Sequence, residues 1–582
     1  MSESISNERL SKRNLWGYSM GGIGRDMAYQ LVNTYLLTFI TFTKGLSNTE
    51  FAMVGVIMVI CRIFDGCNDP FMGSVIEITR TKIGKFKPWI LAGVFTNVAV
   101  IIALFCVPLR GTSYLIFFAF GYLLWGMTYT MNDISYWGML PSLTSNPGDR
   151  NNLTTLANIG AGIGAGLSVL AIPSLTQGNL AIASNASKSY AIVSIIVCIV
   201  FFVCQIMTVF VVKEKPLPKV RVDDGEKRSL KDMFKVIFKN DQLKPVMASM
   251  LLYNIGSCIT MALASYWIYY RFAYQGLLVT LFTVISGVST LVIVFFPMMC
   301  KKHSRRWISK LSMIMIIVGY LLMFVISLTT GINPDADKVG FKIGACAFFG
   351  QTLFYQVLTI SVANTVEYNE YTTGMRDEGV IFACRPFTAK LGSAAVVGIT
   401  TLVVLALGLN PTNKAISNAD YEAGQLAVQV EQLVKDETPN FDSLSKEEQT
   451  KLIEAKKKSI ETENVAKIEN IIHTNEDTKV AKWQYQTMFA FMTLLPLVIL
   501  LGSFAIYFKK YNISEERYDE ICAEIAKRKL AAEGNEEVVL DGADVNELEN
   551  DLASSDAETP DEIFEQEAAA DKISEAPDEV EK

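Results

Sequence analysis

Asp65 and Asp69 stand four residues apart in the stretch RIFDGCNDPFMG, Arg62 to Gly73, inside an otherwise apolar segment running from about residue 51 to 76. On a helix this spacing puts both carboxylates on one face, with Asn68 beside them and Arg62 one turn earlier. Two like charges in a low-dielectric medium are unfavourable by several kcal/mol unless a proton or cation neutralises them. Arg62 can balance only one. Asp26, in GGIGRDMA, and Asp133, in YTMNDISYWGMLP, are further acids in apolar surroundings. Tyr129, Asp133 and Trp137 recur every four residues and so share a helical face. A carboxylate accepts hydrogen bonds from vicinal hydroxyls and an indole covers the C–H side of a pyranose ring, so this face suits a carbohydrate. The alternative for Trp137 is an anchor at the membrane interface. Arg385 and Lys390 bring positive charge to a later apolar segment. Asp26, Asp65, Asp69 and Asp133 against Arg62, Arg385 and Lys390 leave one negative charge over, which a monovalent cation would cancel. Arg25 and Glu367, near helix ends, could alter this tally.

These residues need a membrane to sit in. Of the 582 residues 51% are hydrophobic and 19% charged, with a mean hydropathy of +0.29, against roughly one quarter charged in a soluble domain. The sequence is that of a polytopic all-α membrane protein, and no enzyme motif or nucleic-acid-binding pattern is read in it. Ten cysteines are mostly scattered singly through apolar segments, without metal-ligand spacing. No metal other than a coupling cation is expected, and no cofactor. No cleavable signal is read before the first apolar segment. Twelve apolar segments can be drawn, near residues 16–43, 50–76, 88–108, 112–140, 153–175, 189–212, 246–272, 276–300, 307–328, 340–366, 379–409 and 484–508. Lys and Arg collect in the links after the second, sixth and eighth, which places those links and both termini in the cytoplasm.

The chain divides into an N-terminal six-helix bundle (1–212), a central cytoplasmic loop (213–245), and a C-terminal bundle (246–508) carrying a polar insert (410–482). An acidic tail follows (509–582). KFKPWI and SRRWIS open corresponding segments of the two halves, a faint internal repeat of the kind two related bundles leave. Gly160, Gly162, Gly164 and Gly166 form a small-residue stripe suited to close helix packing. The insert should be external, as a helical hairpin over the outer mouth or a solvated loop; a capping box at Ser445 and Glu448 marks a helix start. It adds nothing to the charge constellation, so its removal should leave a working carrier. From residue 511 onward there are 24 Asp and Glu against 6 Lys and Arg, a net −18 in a chain whose total is −7. This tail should be disordered after about residue 530.

The stretches GRDMA, RIFDGCNDPFMG, TRTKIGKFKPWIL, YTMNDISYW and NTVEYNEY resemble signature segments of the glycoside-pentoside-hexuronide:cation symporter family of the major facilitator superfamily, over residues 12–410 and the last segment. The resemblance implies twelve transmembrane helices in two six-helix bundles around a central site. It implies a cation site at Asp65, Asn68, Asp69 and Thr130, whose oxygen ligands suit sodium or a proton. It also implies a sugar site at Asp26 and Asp133, helped by Arg25, Tyr129 and Trp137, with Lys390 near both. Asn158 stands where melibiose permease, a member of that family, has a sugar-binding arginine; Tyr355 stands for its tryptophan, and Arg385 and Pro386 for its Gln and Thr.

The expectation is a monomeric, cation-coupled sugar or glycoside symporter in contact with the lipid of the cell membrane. A lysolipid carrier and a transporter-derived sugar sensor are the alternatives. Arg385 is expected either to donate a planar fork to the substrate or to neutralise Asp133 or Asp26.

Overall fold

The computed structural model describes residues 10–144, 147–178, 180–214, 239–272, 275–330, 334–375 and 377–532. Helices α1 (Lys12–Thr43), α2 (Asn48–Ile78), α3 (Lys87–Cys106), α4 (Gly111–Leu143), α5 (Pro147–Thr176) and α6 (Ala186–Val211) pack into one bundle. The second consists of α7 (Leu243–Arg271), α8 (Gly276–Lys302), α9 (Arg305–Thr330), α10 (Pro334–Thr373), α11 (Glu378–Ala406) and, later in the chain, α15 (Lys482–Lys510). Among the described residues, nine of these are long and apolar enough to cross a bilayer. α1, α2 and α10 complete the array. Most of the expected central loop and the tail beyond residue 532 lie outside the described residues.

Local chemistry sets the helix starts. Ser47 and Glu50 close a capping box at the head of α2, the Asn185 side chain accepts from the Lys188 amide at the head of α6, and Pro88 opens α3. α10 is 40 residues long and overshoots the apolar stretch read from its sequence. Hydropathy registers only the apolar middle of a crossing, and the polar turns that continue the helix past it are invisible to that signal. α8 tightens into a 3-10 run over Ser289–Phe295 before resuming.

Half of the glycine stripe on α5 explains its packing. A Cβ at Gly160 would lie 2.4 Å from the Ser19 carbonyl oxygen, and one at Gly164 would lie 2.0 Å from that of Ile23, so α1 can approach only because these side chains are missing. Gly162 and Gly166 meet nothing within 4 Å.

Between α11 and α15 the chain turns at Gly408 (φ +65°) into a helical insert of α12 (Asn410–Val428), α13 (Val430–Glu437) and α14 (Lys446–His473). The Ser445–Glu448 capping box forms, and Ala423, Val430, Val434, Phe441 and Ile460 make a small core of the insert's own. α12 extends from the second bundle to pack on α1 and α6 of the first, at the end holding the α1–α2, α3–α4 and α5–α6 links. The described residues up to Tyr518 form one compact unit; the end of α16 (Glu515–Ala532) belongs to a second.

Candidate functional site

α2 and α4 carry one cluster of charge. Asp65 and Asp69, one turn apart on α2, are both met by Thr130 of α4, whose hydroxyl lies 2.7 Å from Asp65 Oδ1 and 3.2 Å from Asp69 Oδ1. Lys390 reaches across from α11, its Nζ 2.5 Å from Asp69 Oδ2 and 3.1 Å from Asp65 Oδ2. Asn68 is half-buried beside them and bonds to none of these four groups. Arg62 turns elsewhere: it donates to Asn33 Oδ1 of α1 and lies over the rings of Trp125 and Tyr122, 5.1 and 5.8 Å from their centroids.

One turn along α4 lies a second cluster. Arg25, 3% exposed, holds Asp26 Oδ2 at 2.5 Å and Asp133 Oδ1 at 3.0 Å. Its guanidinium sits between the rings of Tyr136 and Trp137, at 4.7 and 4.9 Å. The Tyr136 ring is fixed from behind, because Tyr18 and Tyr136 stack at 4.4 Å and each hydroxyl donates to the other residue's carbonyl, at 2.8 and 2.7 Å. Tyr129 packs against Trp125 and Tyr29 on the same side.

The charge balance therefore differs from the one counted along the chain. Each cluster has two carboxylates and one directly bonded cation, Lys390 in the first and Arg25 in the second; with Arg25 counted beside Arg62, Arg385 and Lys390, four acids face four cations and the single-charge deficit read along the chain is gone. Arg62 and Arg385 pair with no carboxylate among the described residues. Arg385, on α11 and exposed, bonds instead through Nε to the Tyr355 hydroxyl at 3.1 Å, and Tyr355 stacks on Tyr253 at 5.4 Å. Asn158 is spent on its own helix, donating to the Thr154 carbonyl at 2.9 Å.

Sequence reading missed a cavity whose wall includes none of these charged residues. Of about 360 Å³, within the range of small-molecule sites, it lies between the bundles, and its wall is rich in hydroxyls and amides: Asn33, Thr38, Ser257, Gln351, Ser393 and Thr400 among them. Asn33 is also the partner of Arg62, Ser393 is one turn from Lys390, and Tyr253 in the wall is the ring behind Tyr355. Uncharged Ser and Thr in a helix give no sign of the face they occupy until a partner helix is known.

Residues 17–427 match the family described as MFS/sugar transport protein. The chain belongs to that family. The MFS/sugar transport family is one of membrane transporters, not enzymes, and the chain's apolar helices make it a multi-pass member. A raffinose carrier protein of Pediococcus pentosaceus is 26% identical over 70% of this chain and 64% of its own length. A lactose permease of Lactobacillus delbrueckii subsp. bulgaricus is 28% identical over 67% of this chain and 63% of its own, so the chain spans just under two thirds of both. An isoprimeverose transporter of Lactiplantibacillus pentosus is 27% identical over 68% and 80%. The family match ends within α12, leaving α13 and α14 beyond it.

Proposed function

We propose that the protein is a cation-coupled sugar symporter, working by alternating access between its two bundles. The observation that carries this reading is Lys390 of one bundle shared by Asp65 and Asp69 of the other. A pair carrying −2 held by a single +1 retains affinity for one sodium ion or proton, and Thr130 supplies a further oxygen. A cation arriving there competes with Lys390 for the same carboxylate oxygens, so its binding changes what ties the bundles together. Asp26 and Asp133, oriented by Arg25, present acceptor oxygens to sugar hydroxyls beside Trp137. Arg385, held at one nitrogen by Tyr355, has the rest of its fork to donate, and the neutral cavity beyond takes further hydroxyl-bearing groups. The names of the three relatives agree with this substrate class. The insert-bearing face is the external one on this reading, since Arg80, Lys82, Lys85, Lys301 and Lys302 lie at the opposite ends of their helices. The transport unit is a single chain in the lipid of the cell membrane.

Counterflow in reconstituted vesicles tests it, with mono-, di- and trisaccharide glycosides, with and without sodium, and under a pH jump. Accumulation of at least one sugar driven by sodium or by protons is expected. No sugar-driven exchange across the whole panel would overturn the reading, and exchange indifferent to both ions would remove the coupling.

A further inference from the structure

The insert is tied at both ends to the second bundle yet bonded along its first helix to the first. Asn410 Nδ2 donates to the Leu46 carbonyl at 3.1 Å and to Asn48 Oδ1 at 2.8 Å, in the α1–α2 region. Arg110, before α4, donates to Ser417 Oγ at 2.8 Å and to Asn418 Oδ1 at 3.0 Å, and lies 4.5 Å from the Tyr421 ring. Asp420, 2% exposed, accepts from the backbone N–H groups of Ala186 and Ser187 at 2.6 and 3.1 Å, completing the N-terminal cap of α6 with a residue from outside that bundle. Lys188 Nζ donates to the Gly424 carbonyl at 3.1 Å. Its ties to the second bundle include Tyr270 Oη, which donates to Asn413 Oδ1 at 2.6 Å, and the chain joins at Gly408 and Ala481.

The bundles also meet directly at this face. Thr41 and Tyr266 hydroxyls are 3.0 Å apart, Phe42 packs its ring against Tyr269 and Tyr270 at 5.6 and 6.0 Å, and Ser174 meets Thr280 at 2.7 Å. The face is closed in this structure, and opening it would separate the surfaces that α12 spans.

We infer that the insert is a strap which fastens this face shut, so that parting the bundles there requires α12 to release the three links of the first bundle. Its bonds are individually modest, but several are buried, and the Asp420 side chain alone accepts from three donors, Asn185 Nδ2 and the backbone N–H groups of Ala186 and Ser187. The strap thus sets the balance between closed and open states, through α12 residues that lie within the family match, while α13 and α14 lie beyond it. The inference rests on the alternating-access reading but not on any sugar or cation.

The experiment reads distance directly. Spin labels at Ser113→Cys and Lys482→Cys, exposed positions on the two sides of the face, are introduced after the ten native cysteines are replaced. The intact protein in lipid should give predominantly the short distance, and Arg110→Ala and Asp420→Ala should each enlarge the long-distance population several-fold. A second pair of cysteines, Asn185→Cys with Asp420→Cys, should abolish the long-distance population when oxidised and restore it on reduction. Unchanged distributions in both alanine variants would overturn the strap. A long-distance population that persists in the cross-linked protein would do the same, by showing that α12 travels with the first bundle.

Discussion

Lys390 Nζ stands 2.5 Å from Asp69 Oδ2, a contact between side chains 321 residues apart that joins α11 of one bundle to α2 of the other. Asp65 shares the same ammonium at 3.1 Å. An ion pair of this kind, a fifth to a third exposed on each side, is a weak source of stability and a good switch, because any cation that competes for the carboxylates changes the bundle interface.

Replacing either acid by its amide, Asp65→Asn or Asp69→Asn, removes half the negative charge and leaves Lys390 to balance the other half. Cation-driven accumulation should be abolished while sugar binding, measured by calorimetry, changes by less than about 1 kcal/mol. A variant that still concentrates sugar in response to sodium or a pH jump would show that the cation binds elsewhere.

Arg385 pairs with no described carboxylate, so the neutralising role expected as one alternative has no geometry here. Arg385→Lys keeps the charge but loses the planar fork and the Nε bond to Tyr355. Substrate affinity should fall by about 1–3 kcal/mol with protein stability unchanged. Equal affinity in the lysine variant would confine Arg385 to fixing Tyr355.

The acid spacing on α2 was legible because a helix converts four residues into one face, and the same rule aligned Tyr129, Asp133 and Trp137. What the chain could not show was pairing across helices. Arg62 is three residues from Asp65 and was the natural counter-charge by local spacing, yet it turns to Asn33 of α1, while Lys390 takes the acids. Arg25, which stands outside the chain's charge tally as a helix-end residue and enters the expected sugar site only through the family resemblance, is the buried centre of the second cluster. The insert's helices are signalled by the capping box at Ser445, and a hairpin over the outer mouth is one of its two expected forms, but the residues that dock it are not legible in the chain. Asn410, Ser417 and Asp420 are residues a solvated loop would also use, and only the fold distinguishes a polar interface from a polar surface.

Two glycines two residues apart on α5 should respond oppositely to the same change. Gly164→Ala puts a Cβ 2.0 Å from the Ile23 carbonyl oxygen, where backbone must move, and should destabilise by about 1–3 kcal/mol. Gly162→Ala meets nothing within 4 Å and should be neutral or stabilising by up to about 1 kcal/mol through helix propensity. Thermal unfolding in detergent compares them; equal shifts would mean that α1 and α5 do not pack through this stripe.

Asp420 gives the docked insert a pH dependence whose sign follows from its burial. Desolvation raises its carboxyl from 3.8 to about 6, outweighing the amide bonds from Ala186 and Ser187 and the field of Arg110 that pull it down. Lys44, whose own ammonium is pushed down to about 8 by burial, also faces it, and Lys458, Glu461 and Glu469 line the pocket it borders. A carboxyl raised on docking binds its proton more tightly docked than free, so its contribution is fully present below about pH 4 and is lost as pH rises through about 6. A shift of about two units corresponds to about 3 kcal/mol at most. Lys44 acts in the opposite sense, its contribution being lost as pH falls through about 8, and it is already charged throughout the lower window. Hydrogen exchange of the α12 amides should therefore be slower at pH 4.5 than at pH 7 after correction for the intrinsic rate. Asp420→Asn, which cannot titrate, should flatten that difference; a slope that survives the substitution would assign it to another group.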